Sequence, residues 1–84
     1  MNYRSSPLPF QELQANLERQ MAEYLSAQGD RLRAARKVLG ISQEDAAHLI
    51  GVSFKTYNSW ENGHSEPRDK NWRRIEEELK VRAD

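Results

Sequence analysis

The stretch SQEDAAHLIGVSFKTYNSWENG, Ser42 to Gly63, constrains this chain more than any other. It is punctuated as two short helices around one tight turn. Ser42 is a good N-cap, because its hydroxyl accepts from a free backbone N–H of the first helical turn. Asp45, three positions on, stands where a capping-box partner belongs. Ala46, Leu49 and Ile50 then recur at helical spacing, which gives one apolar face. Gly51 follows, where a helix must stop and the chain needs a positive φ that only glycine adopts cheaply. Val52 sets an apolar side chain straight after the turn. Ser53 is a second N-cap, and Tyr57 with Trp60 or Glu61 marks the inner face of the helix it opens. Gly63 ends that helix, and the small Ala47 lets the two helices cross closely.

On either side the pattern stays helical. Phe10, Leu13, Leu17, Met21, Tyr24 and Leu25 fall on one stripe at spacings of three and four, with polar residues opposite, over about 10–27. In a chain of 84 residues with little core to offer, such a stripe must pack back on the remainder or pair with another copy; dimerisation is the favoured reading. Gly29-Asp30 marks a break, although a glycine inside a continuous helix costs only about 1 kcal/mol, so one long helix stays open. The helix through Arg31 to Leu39 is expected to bury Leu32, Ala35, Val38 and Leu39 and to show Arg33 and Lys37 to solvent, with Gly40 as its stop. After the loop HSEPRD, Pro67 and Asp69 announce a last helix over about 69–81, burying Trp72, Ile75 and Leu79. The domain reading is therefore a flexible arm over 1–9, an amphipathic helix over 10–28, and a helical domain over 29–84. Tyr3 and Arg4 are the arm's only distinctive side chains. An arm with one Arg suits a minor groove, and a disordered tail is the plainer alternative. Arg82 to Asp84 are expected to fray.

Several function classes drop out. There is no cysteine, hence no disulfide and no thiolate metal site. His48 and His64 lie on different elements and read as surface residues, so no metal and no cofactor is expected. Glu76, Glu77 and Glu78 form a solvated helix face, with Lys80 and Arg82 at helical spacing. With no nucleophile–base pair, no phosphate loop and no acid pair in an apolar setting, the chain does not read as an enzyme. No apolar run approaches the roughly 20 residues a bilayer span needs, and the polar, Pro-rich start is unlike a signal peptide. A cytoplasmic protein without membrane contact is the expectation.

The whole arrangement resembles the phage-repressor and Cro type of helix-turn-helix, the XRE-like family of bacterial and phage DNA-binding domains. The resemblance covers Gly29 to Pro67 and rests on Arg31-Leu32-Arg33, Arg36, Gly40, Ser42-Gln43, Ala46, Gly51-Val52-Ser53, Thr56, Trp60-Glu61, Gly63 and Pro67, in order and at these spacings. It implies an all-α, lambda-repressor-like domain of four to five short helices, with the N-terminal amphipathic helix as an addition. It also implies double-stranded DNA as the partner, with the helix over about 53–62 in the major groove. Two residues depart from the family pattern: Tyr57 stands where an aliphatic side chain is common, and Glu66 lies in a loop that often carries basic residues.

Formal net charge is zero, unusual for a DNA-binding domain, but the charge is unevenly spread. Between Gly29 and Arg74 lie nine basic residues against six acidic ones, while the compensating acids sit in the flanks. A modest phosphate-binding face fits this better than a polycationic coat. Carried over position by position, the resemblance nominates Phe54, Lys55, Ser59 and Asn58 as base-reading residues. Lys55 suits guanine O6 and N7, and Phe54 suits a thymine methyl; the alternative for Phe54 is a core residue packed on the N-terminal helix. Gln43, Thr56, Asn62 and Arg68 fall at backbone-contact positions. Arg36 and Glu61 match a structural ion pair that joins the first family helix to the end of the recognition helix. Phe10, Leu13, Leu17, Met21 and Tyr24 form the candidate dimer face. The function implied is a sequence-specific transcription regulator, a repressor by preference, binding a palindromic operator as a homodimer. The competing reading is an antitoxin or adaptor module whose N-terminal helix holds a protein partner.

Overall fold

The computed structural model describes residues 9–81; the arm with Tyr3 and Arg4, and the three C-terminal residues, lie outside the described residues. Four helices follow one another: α1 (Phe10–Leu39), α2 (Gln43–Ile50), α3 (Phe54–Glu61) and α4 (Asp69–Leu79). No strand occurs among the described residues.

The two motif helices form where their caps direct. Ser42 Oγ accepts from the Asp45 N–H at 3.0 Å and the Asp45 carboxylate accepts from the Ser42 N–H at 3.3 Å, a complete reciprocal capping box. Ser53 Oγ accepts from the Thr56 N–H at 3.1 Å and opens α3 in the same way. Between them Gly51 takes φ 89° and donates to Ala47 O at 2.9 Å, so the chain reverses within a residue of the end of α2. Beyond Glu61, Asn62 caps α3.

The core gathers Leu32 from α1, Ala46, Ala47 and Ile50 from α2, Tyr57 and Trp60 from α3, and Trp72, Ile75 and Leu79 from α4. Tyr57 is fully buried, its ring edge-on to Trp60 with centroids 6.0 Å apart. A tyrosine here fills core space with ring area where an aliphatic residue would be smaller.

α1 departs most from expectation. It runs unbroken for 30 residues, about 45 Å at 1.5 Å per residue, and the described residues measure 58 × 21 × 21 Å. Only its C-terminal part joins the core. The break expected at Gly29-Asp30 falls inside this helix, so the described residues form four helices and not five. Gly29 serves a different purpose. It is buried against the end of α3, and a Cβ there would stand 2.4 Å from Glu61 O and 2.8 Å from Trp60 O. The glycine is an approach site for another backbone, with its φ inside the ordinary helical range of α1. Val38, 85% exposed, and Leu39 also miss the core assigned to them; Val38 stands about 120° round the helix from the buried Leu32, and Leu39 lies about two turns beyond it. The stripe does not fold back: Phe10, at 75%, Leu13, Leu17, Met21 and Tyr24 are all exposed.

Helix propensity favours alanine over glycine by about 1 kcal/mol, but the contact at Gly29 reverses the sign. Gly29→Ala is expected to destabilise the domain by about 3 kcal/mol or more, since a backbone carbonyl cannot swing aside as a side chain would. Urea unfolding of the two proteins checks this, and an unchanged or raised midpoint would refute the close approach.

Candidate nucleic-acid interface

The site is assembled around one buried carboxylate. The Glu61 side chain is fully buried at the end of α3. Arg36, from α1, donates to it twice, Nε to Oε2 at 2.6 Å and a terminal nitrogen to Oε1 at 3.2 Å. The same guanidinium donates to Ile41 O at 3.0 Å and so holds the α1–α2 connection as well. Arg33 was expected to face solvent. Instead it donates to the Glu61 backbone carbonyl at 2.9 Å, stands 3.6 Å from the carboxylate, and reaches Asp30 at 3.0 Å. Its position three residues before Arg36, on the same helix face, was the signal for this role.

Burial by itself would raise the Glu61 carboxyl. The hydrogen bonds from Arg36 and Gln43, with the Tyr57 hydroxyl nearby, outweigh it and hold the group below the ordinary carboxylate range. The Arg36 guanidinium is correspondingly raised, chiefly by its hydrogen bond to Glu61. Burial pushes the Tyr57 phenol up, with Glu61 adding to the effect, so it stays protonated. Its hydroxyl lies buried within electrostatic reach of both partners but without an aligned hydrogen bond.

From Glu61 a chain of amides runs outward. Gln43 Nε2 donates to Glu61 Oε1 at 2.8 Å, Asn58 Nδ2 to Gln43 Oε1 at 3.2 Å, and Asn62 Nδ2 to Asn58 Oδ1 at 3.0 Å. Its direction follows from charge. An ionised carboxylate only accepts, so Gln43 must present its NH₂ to Glu61 and its oxygen to Asn58, which turns Asn58 and then Asn62.

The residues nominated from sequence fall on recognisable places around this network. Phe54, Lys55, Asn58, Ser59 and Asn62 share the outer face of α3, at spacings that alternate one and three. Phe54 is 47% exposed and is not a core residue. Lys55 and Thr56 are exposed in the first turn, with Thr56 Oγ1 accepting from Ser53 Oγ at 3.0 Å. Ser59 is half-buried and shares a hydrogen bond with Ser65 at 2.8 Å, tying α3 to the following loop. Gln43 is brought into the network rather than left at the surface. Arg68 is exposed at the start of α4, apart from the amide chain. Arg74, which sequence reasoning did not single out, donates to Leu49 O at 2.8 Å and fastens α4 to the end of α2.

Two capped helices around a glycine turn, with α3 braced from behind by α1 and its outer face open, are what the helix-turn-helix family model describes, and that model matches residues 32–84. The chain belongs to the helix-turn-helix family. It is a DNA-binding transcription regulator of the XRE type, the group of the phage repressors and Cro. No curated protein matches the chain. The matched region takes in all of α2, α3 and α4, further than the sequence resemblance extended, and leaves Phe10–Arg31 outside it. No described helix of this regulator is long and apolar enough to cross a membrane.

Arg36→Met is expected to cost about 3–5 kcal/mol, because Glu61 keeps its burial while losing its bidentate partner; denaturant unfolding measures it. The pH dependence has a definite sign. The Glu61 carboxyl sits lower in the folded state than its unfolded value of about 4.3. Its contribution is therefore fully present above that pH and is lost as the pH falls through the lowered folded value. In unfolding curves taken at successive pH values, the stability gap between parent and Glu61→Gln should be widest near neutrality and close steadily in acid. A gap independent of pH would contradict a lowered carboxyl.

Proposed function

We propose that this regulator recognises a specific operator by placing the outer face of α3 in the major groove, as a homodimer on a palindromic site. The observation that carries this reading is the open face of Phe54, Lys55, Asn58 and Ser59 on a helix whose far side is locked to α1. An α-helix fits the major groove, and side chains of its first two turns reach base edges. Lys55 serves as donor to guanine, Phe54 as apolar contact to a thymine methyl, and Asn58 and Ser59 as shorter hydrogen-bonding groups. Gln43, Thr56, Asn62 and Arg68 supply backbone contacts that set register without reading sequence. Arg36 and Glu61 act from behind as framework.

A homodimer follows from the size of the reading surface. One eight-residue helix contacts few base pairs, and two copies bound one helical turn apart, about 34 Å, double them on one face of the duplex. Repression is the simplest mode, since occupying a promoter needs no further surface. A second reading, an antitoxin or adaptor holding a protein on α1, draws on the exposed stripe from Phe10 to Tyr24. It requires a chain that remains monomeric on its own.

Selection from random-sequence duplexes at two salt concentrations, with parent and Lys55→Ala side by side, tests the first reading. The parent is expected to return a palindromic consensus. Lys55→Ala should lose definition at one base pair in each half, a loss of about 1–3 kcal/mol in discrimination. Weak binding that salt erases, with no consensus from either protein, would sink it.

A further inference from the structure

We propose that two copies of this chain pair antiparallel through α1 about a two-fold axis at Leu17, and that this pairing sets the two recognition helices one DNA turn apart. The proposal rests on the dimeric operator reading above and adds the surface, the orientation and the spacing.

The stripe is symmetric about its own centre. From Phe10 to Leu13, Leu17, Met21 and Tyr24 the steps are three, four, four and three. An axis through Leu17 therefore pairs Leu17 with itself, Leu13 with Met21 and Phe10 with Tyr24, so that apolar meets apolar at every level. A two-fold axis requires this self-complementarity of a patch. At about 100° per residue the five side chains fall within an arc of roughly 80°. Gln14 and Gln20 edge that arc. Glu12, Glu18, Arg19 and Glu23 all stand about 100° or more from its centre. Along Phe10–Tyr24 the stripe has no charge at its margins to repel a second copy.

Orientation follows from the position of α4. Tyr24 and Gln28, which continue the stripe, line a groove with Pro67, Trp72 and, at its rim, the charged Glu66, Arg68, Asp69, Lys70 and Arg73. The head thus projects on the stripe's own side, immediately beyond Tyr24. In a parallel pair the two α4 segments would meet at one level and hold the α1 helices apart. In the antiparallel pair each head clears the partner's N-terminal end, and Phe10 of one copy arrives at Tyr24 and the groove of the other. The exposure of Phe10, 75%, gives it the largest apolar surface to bury there.

The spacing then follows from helix geometry. α3 meets α1 at Gly29, 12 residues from Leu17. At 1.5 Å per residue that places the two meeting points about 36 Å apart along the axis, against about 34 Å for one turn of B-DNA. Gly29, Arg33 and Arg36, which hold α3, project about 120°, 160° and 100° round α1 from the stripe, roughly 130° on average. That direction lies mainly along the two-fold axis, so rotation carries both α3 helices to the same side of the pair.

The chain has no cysteine, so introduced ones report alone. Leu17→Cys, Leu13→Cys and Met21→Cys proteins are oxidised without DNA, singly and in pairs. Leu17→Cys alone and the mixture of Leu13→Cys with Met21→Cys should form covalent dimers. Leu13→Cys alone should not, because two copies of position 13 lie about 12 Å apart along the axis, beyond disulfide reach. Efficient self-crosslinking of Leu13→Cys would overturn the antiparallel orientation. No crosslinking in any combination, with monomers in sedimentation, would overturn the pairing. Leu17→Glu places two like charges at the axis on an exposed position outside the core. It should leave the melting temperature and half-site binding unchanged and lower full-site affinity roughly 100-fold. Full-site affinity equal to the parent's would overturn the link between pairing and spacing. The predicted crosslinks in a protein that selects no DNA consensus would support the pairing and remove the operator reading instead.

Discussion

The end of α3 is held by a charge that has nowhere else to go. Glu61 is buried, so its carboxylate must be answered by donors within the protein, and α1 supplies them. Arg36 meets the carboxylate and Arg33 the backbone carbonyl of the same residue. These bonds act at the level where Gly29 lets the two backbones touch. Contact without the ion pair would fix distance but not rotation, and the ion pair without the glycine would be kept from closing. A well-packed apolar pair can match a buried ion pair in free energy. What the ion pair adds here is direction, because a carboxylate accepts only.

That direction propagates. Gln43 turns its NH₂ to Glu61 and its oxygen outward, Asn58 answers with its own NH₂, and Asn62 follows. The outer face of α3 therefore carries two kinds of side chain. Asn58 is presented in one orientation, and it loses little freedom when a ligand meets it. Phe54 and Lys55 stand free in the first turn, where a long lysine stem gives up about 1.5–2 kcal/mol of rotamer freedom on being fixed. In a groove the oriented amides would govern register, while the free residues would supply contacts that adapt to it.

Much of the head was legible because its signals are local. Ser42 and Ser53 as caps, Gly51 as turn and the inward set of Ala46, Ile50, Tyr57 and Trp60 each depend on residues within one or two turns. The signals that misled depend on other elements. Gly29 looks like a break until the α3 carbonyls that occupy its missing side chain are seen. Val38 and Leu39 continue the apolar run of α1 but stay exposed, and periodicity does not reveal which turns of a helix a neighbour covers. Arg33 lay on the face of Arg36 but resembled any exposed arginine, since its acceptor is a backbone carbonyl 28 residues away. The residues proposed to read bases are legible as a shared face of α3; which bases such a face would meet depends on the duplex.

α1 is unusual in being helical well beyond the core that ought to justify it. Isolated helices below about 12–15 residues are marginal in water, and the part of α1 before Gln28 packs against little of the chain. Local preference sustains it. Between Phe10 and Gln28 there is no glycine, proline or β-branched residue, and Leu, Gln, Glu, Ala, Met and Arg dominate. The one glycine that follows, where a hinge would be expected, is closed by the α3 backbone and flanked by arginines bonded to it. Extension and head are therefore joined by one unbroken helix, so that whatever seats the exposed stripe bears on where α3 points. A flexible joint at Gly29 would let each head find DNA independently at the cost of fixed spacing. The carbonyl lodged against it favours the opposite arrangement, in which the proposed recognition by α3 and the proposed pairing through α1 would be coupled by a continuous helix.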